Sequence, residues 1–172
     1  MYFLFYIIMA GEEQLSQEEI QKRIEMMKEN CIFCKIIKGE IPGKVVFEDD
    51  ICMAILDINP ATNGHLLLMP KEHYMMMPMV PDEILGHLSV ISKYLSDLLK
   101  EAFSAQDVTM YMANGGAAGQ QVQHFMMHII PRYSGDGLNF DVQGESLSDS
   151  ELEKLANSLK EKLQQMSQQS GK

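Results

Sequence analysis

The segment 81–103 imposes the strongest constraint on the fold, because its apolar residues recur every three or four positions. This spacing places them on one stripe of an amphipathic helix, and such a stripe must be covered by another apolar surface. Pro81 and Asp82 stand at positions that helix starts favour. The predicted stripe contains Ile84, Leu85, Leu88, Ile91, Leu95, Leu98, Leu99 and Ala102.

Short strand-like segments lie on both sides of this helix in the sequence. Asp49-Asp50 separates the first two of them, which indicates a β-hairpin, and Pro131 is predicted to end the last one. Strands before and after a single long helix predict an α+β fold with a mostly antiparallel sheet and one packing helix. The predicted strands are 44–48, 51–56, 65–70, 108–113 and 122–130.

Further helices are predicted at both ends of the chain. Residues 12–30 are polar and helix-favouring, with a thin apolar stripe formed by Ile20, Ile24 and Met27. Ser148 or Asp149 is predicted to cap a C-terminal helix. That helix carries Leu152, Leu155, Leu159 and Leu163. The predicted organisation is an extension with a surface helix at 1–30, an α+β domain at 31–140 and a C-terminal helix at 141–172.

The first ten residues, MYFLFYIIMA, are apolar but number about half of the roughly 20 needed to span a bilayer. They also lack the basic region of a signal peptide. The polar sequence that follows resembles an ordinary soluble start at Met9, so residues 1–8 are interpreted as an over-extended reading frame. A weak membrane-tethering segment is the alternative.

Charge and cysteine content narrow the function classes. The formal net charge of −10 and the scattered 14 Lys and Arg residues argue against a nucleic-acid partner. A small anionic ligand is still compatible with this charge, since backbone N–H groups can hold it locally. Three cysteines are too few for a secreted disulfide scaffold, which favours a reducing, cytoplasmic location.

The segment 119–132, GQQVQHFMMHIIPR, carries the clearest chemical signal. Side chains alternate between the two faces of a strand, so His124, Met126 and His128 are predicted to share one face. Phe125, Met127 and Ile129 are then predicted to point the other way, into a core. Two histidines on a non-core face after a glycine-rich turn indicate a phosphate or metal site. The alternative is that both are structural histidines.

Cys31-x-x-Cys34 is a common half of a zinc site. Spacing alone does not choose the remaining ligands among the five histidines, although His87 lies on the predicted helix and is a poor candidate. Free thiols or a redox pair are the alternatives to a bound metal.

Several blocks together resemble the histidine-triad (HIT) superfamily, in its Hint-like, zinc-containing branch. The segment around His124 and His128 resembles the signature His-φ-His-φ-His-φ-φ, in which φ is hydrophobic, followed by Ile-Ile-Pro-Arg. The other blocks are CIFCKIIKGEIP at 31–42, ILDINP at 55–60, and GH at 64–65 with PKEH at 70–73. They occur in family order between about 31 and 137.

The resemblance implies a HIT-like α+β protomer that forms a homodimer and binds a purine nucleotide such as AMP or GMP. Asp57 matches the carboxylate that binds the ribose hydroxyls, and Ile58 would line the base pocket. His128 matches the third histidine, which contacts the phosphate. The matched phosphate loop is Gly119, Gln120 and Gln121, with Asn114 beside it as a further candidate. The implied zinc ligands are Cys31, Cys34, His73 and His124.

Met126 occupies the position of the middle histidine, which acts as the nucleophile in this family. A thioether is a weak acceptor that cannot shuttle a proton or replace imidazole in attack on phosphorus. We therefore predict a nucleotide-binding protein with structural zinc whose hydrolase or transferase chemistry is lost or altered. The alternatives are an active phosphoramidate or nucleotide hydrolase that uses His128 or direct water attack, and a protein-interaction module on the same scaffold.

Overall fold

The computed structural model describes residues 16–139, 144 and 146–170, so the predictions about residues 1–8 lie outside the described part. The chain divides into two compact units, Met1–Leu138 and Asn139–Lys172. In chain order, the helices and strands are α1 (Gln17–Asn30), α2 (Ile32–Ile37), β1 (Val45–Glu48), β2 (Cys52–Leu56), β3 (Leu66–Pro70), α3 (Asp82–Phe103), β4 (Asp107–Tyr111), β5 (Met127–Arg132) and α4 (Asp149–Ser170).

The five strands form one sheet in the order β1-β2-β3-β5-β4, and every neighbouring pair is antiparallel. The predicted hairpin joins β1 and β2, and Asp49 closes its turn by accepting hydrogen bonds from the N–H groups of Ile51 and Cys52. The α+β prediction with an antiparallel sheet and one long helix is therefore confirmed.

Helix α3 covers one face of the sheet with most of its predicted stripe, whereas Leu98 and Ala102 at the edge of that stripe are exposed. It begins directly after Pro81, and Asp82 and Glu83 place negative charge in its first turn, where the helix dipole favours it. Leu88, Leu95 and Leu99 are buried in this core, and complete burial of one such side chain contributes about 1.5–3 kcal/mol. Their buried partners from the sheet and its flanks include Ala54, Leu66, Leu68, Phe125, Met127 and Ile129.

The opposite face of the sheet has an apolar cluster of its own. Met53, Ile55, Leu67 and Met69 are buried there. Phe33, Ile36 and Ile37 of α2 pack against them, as does Met126. The prediction of a non-core face for His124 and His128 was wrong, because the short helix after Cys31 covers part of this face. His124 is completely buried and His128 is half-buried.

Strand β5 begins at Met127 and runs through Pro131, whereas the predicted strand was 122–130 and ended before the proline. Pro131 lies opposite Val108 of β4, and its carbonyl accepts a hydrogen bond from Thr62 Oγ1 at 2.6 Å. In an antiparallel strand the N and C=O of one residue point to the same side. The proline nitrogen therefore points away from β4, and its missing N–H costs no hydrogen bond to that strand.

Both terminal helices are present within the described residues. Ser16 and Glu19 form a reciprocal capping box that starts α1 at Gln17, five residues after the predicted start at residue 12. In the second unit, Ser148 precedes α4 and bonds to Glu151. The leucines of α4 are exposed. Among the described residues, no helix has both the length and the apolar character needed to cross a membrane.

Candidate functional site

Four predicted metal ligands meet beside the sheet. Cys31 and Cys34 stand at the start of α2, His73 follows β3, and His124 precedes β5. Cys34 Sγ lies 3.3 Å from His73 Nδ1 and 3.6 Å from His124 Nδ1, and Cys31 Sγ lies 3.5 Å from His124 Nδ1. All four ligand atoms lie within 4.8 Å of one another, and all four residues are buried.

The hydrogen bonds of His124 fit it for metal binding through Nδ1. Its Nε2–H donates to the Pro70 carbonyl at 2.9 Å, which leaves the unprotonated Nδ1 facing the two thiols. Burial lowers the pKa of His124 to about 4, so its ring is neutral at physiological pH. The Nε2 atom of His73 is buried and has no hydrogen-bond partner in the described part of the chain.

The two thiols complete a donor set that suits zinc. Burial and the adjacent Cys31 raise the pKa of Cys34 to about 12, so this thiol stays protonated unless a cation stabilises the thiolate. Two sulfurs and two imidazole nitrogens at these separations match a tetrahedral, structural zinc site. The residues present therefore fit the metal.

A second polar group lies on the sheet itself. Leu67 of β3 and Tyr111 of β4 are the cross-strand partners of His128 on β5. The Tyr111 ring stacks on the His128 ring, with centroids 4.3 Å apart and planes inclined by 6°. His65, just before β3, places Nε2 3.1 Å from His128 Nδ1. Asp57, after β2, places Oδ2 3.5 Å from His65 Nδ1.

A chain of hydrogen bonds assigns the protons on these two rings. The Ala61 N–H donates to His65 Nδ1 at 3.2 Å, so the hydrogen of His65 is on Nε2 and is donated to His128 Nδ1. The hydrogen of His128 is therefore on Nε2, which is left to donate outward. Burial and the neighbouring His65 lower the pKa of His128 to about 4, although Asp57 acts in the opposite direction. At neutral pH His128 is a fixed, uncharged hydrogen-bond donor.

Asp57 and Ile58 occupy the connection that leads from β2 to His65. Asp57 Oδ1 accepts the Asn59 N–H at 2.8 Å, which shapes the turn, while Oδ2 faces His65. Ile58 is 87% exposed, so its side chain is available to contact a ligand.

In the glycine-rich loop, several side chains that were predicted to bind the ligand form hydrogen bonds within the protein. The Gln120 side chain accepts from the Gly115 N–H at 2.7 Å and donates to the carbonyls of Met75 and Val122. Asn114 Oδ1 accepts the Met77 N–H at 2.8 Å. Gly119 has a φ of +86°, which a side chain would strain, and both it and Gln121 are exposed. Asn114 and the Gln120 side chain thus position the loop.

Met126 lies on the same sheet face as His128, as the alternation predicts. It is half-buried and packs on the cluster that contains Leu67, which is the cross-strand partner of His128. Phe125, Met127 and Ile129 pack in the α3 core on the other side.

His65 and Tyr111 are parts of this group that were not predicted as site residues from the sequence. His65 precedes a strand in which Leu67 shares its face, a signal available from alternation alone. Its contact with His128 depends on how β3 and β5 pair, which strand patterns do not reveal.

The proton assignment predicts the titration of His128. Its nitrogen NMR signals should report the neutral Nε2–H tautomer at pH 7 and a midpoint at about 4. The unfolded chain binds this proton near pH 6.5. Stability should therefore fall as pH decreases from about 6.5 toward 4, because protons bind to the unfolded chain first.

His65→Leu should leave a mixture of His128 tautomers, since it removes the donor to Nδ1. Tyr111→Phe is the matched control, because it retains the stacked ring and should leave the tautomer unchanged. A wild-type His128 with its proton on Nδ1 would contradict the assignment.

Comparison with known proteins places the chain in a family. Residues 38–135, more than half of the chain, match the HIT domain. An uncharacterised HIT-like protein of Methanocaldococcus jannaschii is 48% identical over 108 residues, which are 62% of this chain and 82% of that protein. The adenosine 5′-monophosphoramidase of Candida albicans is 34% identical over 139 residues, which are 78% of this chain and 91% of that one.

Solved structures agree with this relation. The histidine triad nucleotide-binding protein from Candida albicans has a TM-score of 0.72 at 34% identity, covering 80% of this chain and 99% of that one. A Zn-bound histidine triad family protein from Mycobacterium smegmatis has a TM-score of 0.63 at 31% identity, covering 69% of this chain and 86% of that one. The five-stranded antiparallel sheet, its long helix and these matches lead to one conclusion: the chain belongs to the HIT domain family.

Proposed function

We propose that this chain binds a purine nucleoside monophosphate such as AMP or GMP, and that its nucleotidyl hydrolase or transferase chemistry is lost or altered. The observation that carries this proposal is the link from Asp57 through His65 to His128, on the sheet face that also holds Met126. The names of two Candida albicans relatives, a nucleotide-binding protein and a monophosphoramidase, agree with such a ligand.

Each proposed contact uses a group that is available for it. The Asp57 carboxylate has lone pairs beyond the one that accepts from Asn59, so it can accept hydrogen bonds from ribose hydroxyls. Exposed Ile58 would lie against the base. The His128 Nε2–H would donate to a phosphate oxygen, and the backbone of Gly119 to Gln121 would supply further donors.

Met126 is the reason for proposing altered chemistry. Its thioether sulfur is too weak a nucleophile to attack the α-phosphorus at a useful rate, and it cannot shuttle a proton. His128 is a poor substitute at neutral pH, because it is uncharged and its pKa of about 4 makes it a weak base. Binding would therefore survive where turnover does not.

The wild-type chain should bind AMP in calorimetry, yet cleave an adenosine phosphoramidate very slowly and trap no nucleotidyl-protein. Met126→His supplies an imidazole at that position and should raise turnover by several powers of ten, because a missing nucleophile commonly costs that much. Met126→Leu is the matched control and should bind AMP without turnover.

Each other outcome has a distinct meaning. Wild-type turnover equal to that of Met126→His would show that the middle position does not limit the reaction, in favour of a hydrolase that uses His128 or water. Absence of AMP and GMP binding would contradict the nucleotide proposal and favour an interaction module. Asp57→Asn should weaken AMP binding if the ribose contact exists.

We also propose that Cys31, Cys34, His73 and His124 hold a structural zinc ion. Support comes from their mutual distances, the tautomer of His124 and the Zn-bound relative from Mycobacterium smegmatis. With four protein ligands the ion has no open position, so it would link α2, the segment after β3 and the start of β5 without taking part in catalysis.

The zinc proposal predicts about one tightly held zinc per chain after dialysis in metal-free buffer. Cys34→Ser should lose this ion and lower the thermal midpoint, because metal binding contributes directly to folding. Lys38→Ser, just beyond α2, is the control and should retain the metal. Elemental analysis that finds no tightly held zinc in the wild type would contradict the proposal.

A homodimer is proposed on the surface formed by α3 and the edge strand β4. Val90, Tyr94 and Leu98 form an exposed apolar stripe on α3, and Met110 on β4 and Met112 just after it are also exposed. Strand β4 is at the edge of the sheet beside these apolar side chains, and such an edge is a surface that a second sheet can extend.

Light scattering at micromolar concentration should therefore give twice the 19.5 kDa chain mass. Leu98→Lys should reduce the mass toward one chain, because it buries a charge in the proposed contact. Ser89→Lys, exposed on α3 but outside the apolar stripe, should leave the mass unchanged. A wild-type monomer would contradict the dimer.

A further inference from the structure

Three side chains of types that can bind metals meet where the turn between β1 and β2 lies beside the first half of α3. The proposed nucleotide and zinc contacts do not use them. Asp49 lies in the turn, Cys52 begins β2, and His87 faces them from α3. Their ligand atoms lie within 4.8 Å of one another, and Asp49 Oδ2 lies 2.7 Å from His87 Nε2. We propose that Asp49, Cys52 and His87 form a second, weaker site for a zinc-type divalent cation.

The backbone holds the Asp49 carboxylate in place before any ion arrives. Its Oδ1 accepts the N–H groups of Ile51 at 2.8 Å and Cys52 at 2.7 Å. The same turn therefore fixes the carboxylate and the start of β2, where the Cys52 side chain is located. Oδ2 remains on the side that faces His87.

Burial differs among the three ligands in a way that allows an ion to enter. Cys52 has no exposed surface, while the side chains of Asp49 and His87 are about 28% and 31% exposed. A cation can therefore reach the carboxylate and imidazole from solvent, and the buried thiol lies within 4.8 Å of both. Water would occupy the fourth position, since these three residues leave it open.

The donor set selects the class of metal. One sulfur, one imidazole nitrogen and one carboxylate oxygen suit zinc and cobalt, whereas calcium and magnesium require oxygen ligands. On binding, a metal–sulfur bond replaces the Cys52 S–H bond and its proton passes to solvent. The His87 hydrogen moves from Nε2 to Nδ1, so that Nε2 can coordinate the ion.

A hydrogen bond between His87 Nε2 and Asp49 Oδ2 is the simpler account of the same contact. It would bind no metal and would not involve the Cys52 sulfur. A spectroscopic signal that requires sulfur therefore separates the two accounts.

The test is a Co²⁺ titration of the full chain. The protein is first dialysed, so that it keeps only its tightly held zinc. The wild type should bind about one further equivalent and develop a near-ultraviolet band from sulfur-to-cobalt charge transfer. His87→Gln should weaken this binding by at least about tenfold, because even loss of an outer-shell partner costs that much. Cys52→Ala should abolish the band. Asp50→Asn, which changes the exposed neighbouring carboxylate, is the matched control and should leave the band unchanged.

Two results would overturn the second site. One is the absence of a cobalt–sulfur band in the wild type, which leaves only the hydrogen bond between Asp49 and His87. The other is a band that persists in Cys52→Ala and disappears in Cys34→Ser, which would place the cobalt at the first cluster. His87→Gln changes a half-exposed helix residue, so it tests the site even if Cys52→Ala fails to fold. AMP binding need not change in these variants, so the result is independent of the proposed nucleotide function.

Discussion

The pairing of β5 with β3 on one side and β4 on the other is the constraint on which the rest of this structure depends. Its register sets His128 opposite both Leu67 and Tyr111. A shift by one residue would turn His128 into the α3 core and bring Ile129 to the other face. The apolar residues that alternate along β5 exclude this shift, because Met127 and Ile129 already fill the core. Hydrophobic packing on one face thereby fixes polar geometry on the other.

Periodicity in the sequence was sufficient to predict the long helix, the hairpin and the α+β class. The stripe of 81–103 and the alternation around Met126 each report a local property of the chain, namely which side chains share a face. Periodicity did not predict that the sheet face opposite α3 is also covered. This covering depends on α2, a helix of six residues whose apolar side chains are too few to show a period. The extension of β5 through Pro131 was missed for a related reason, since it depends on the pairing of Pro131 with Val108 of β4, which is distant in sequence.

The candidate sites divide along the same line. The residue types and spacing of Cys31-x-x-Cys34 indicate half of a metal site. Its partners His73 and His124 were predicted only from the family resemblance. Asp49, Cys52 and His87 have no recognisable spacing, and only the packing of α3 beside the hairpin brings them together. His65 was named only within a family block and not as a site residue, because a single histidine beside a strand resembles many structural histidines. Long-range pairing, which determines these contacts, leaves little trace in one sequence.

Two groups lie near His65 Nδ1, one a hydrogen-bond donor and the other an acceptor. The Ala61 N–H donates to Nδ1 at 3.2 Å, and Asp57 Oδ2 lies 3.5 Å from the same atom. If the carboxylate replaced the Ala61 N–H as the partner of Nδ1, the His65 hydrogen would be on Nδ1. His65 Nε2 would then accept a hydrogen bond from His128 Nδ1. His128 would then present a lone pair outward in place of an N–H. The outward atom of His128 therefore depends on which group binds His65 Nδ1: the Ala61 N–H leaves His128 a donor to oxygen atoms, whereas the carboxylate would leave it a proton acceptor.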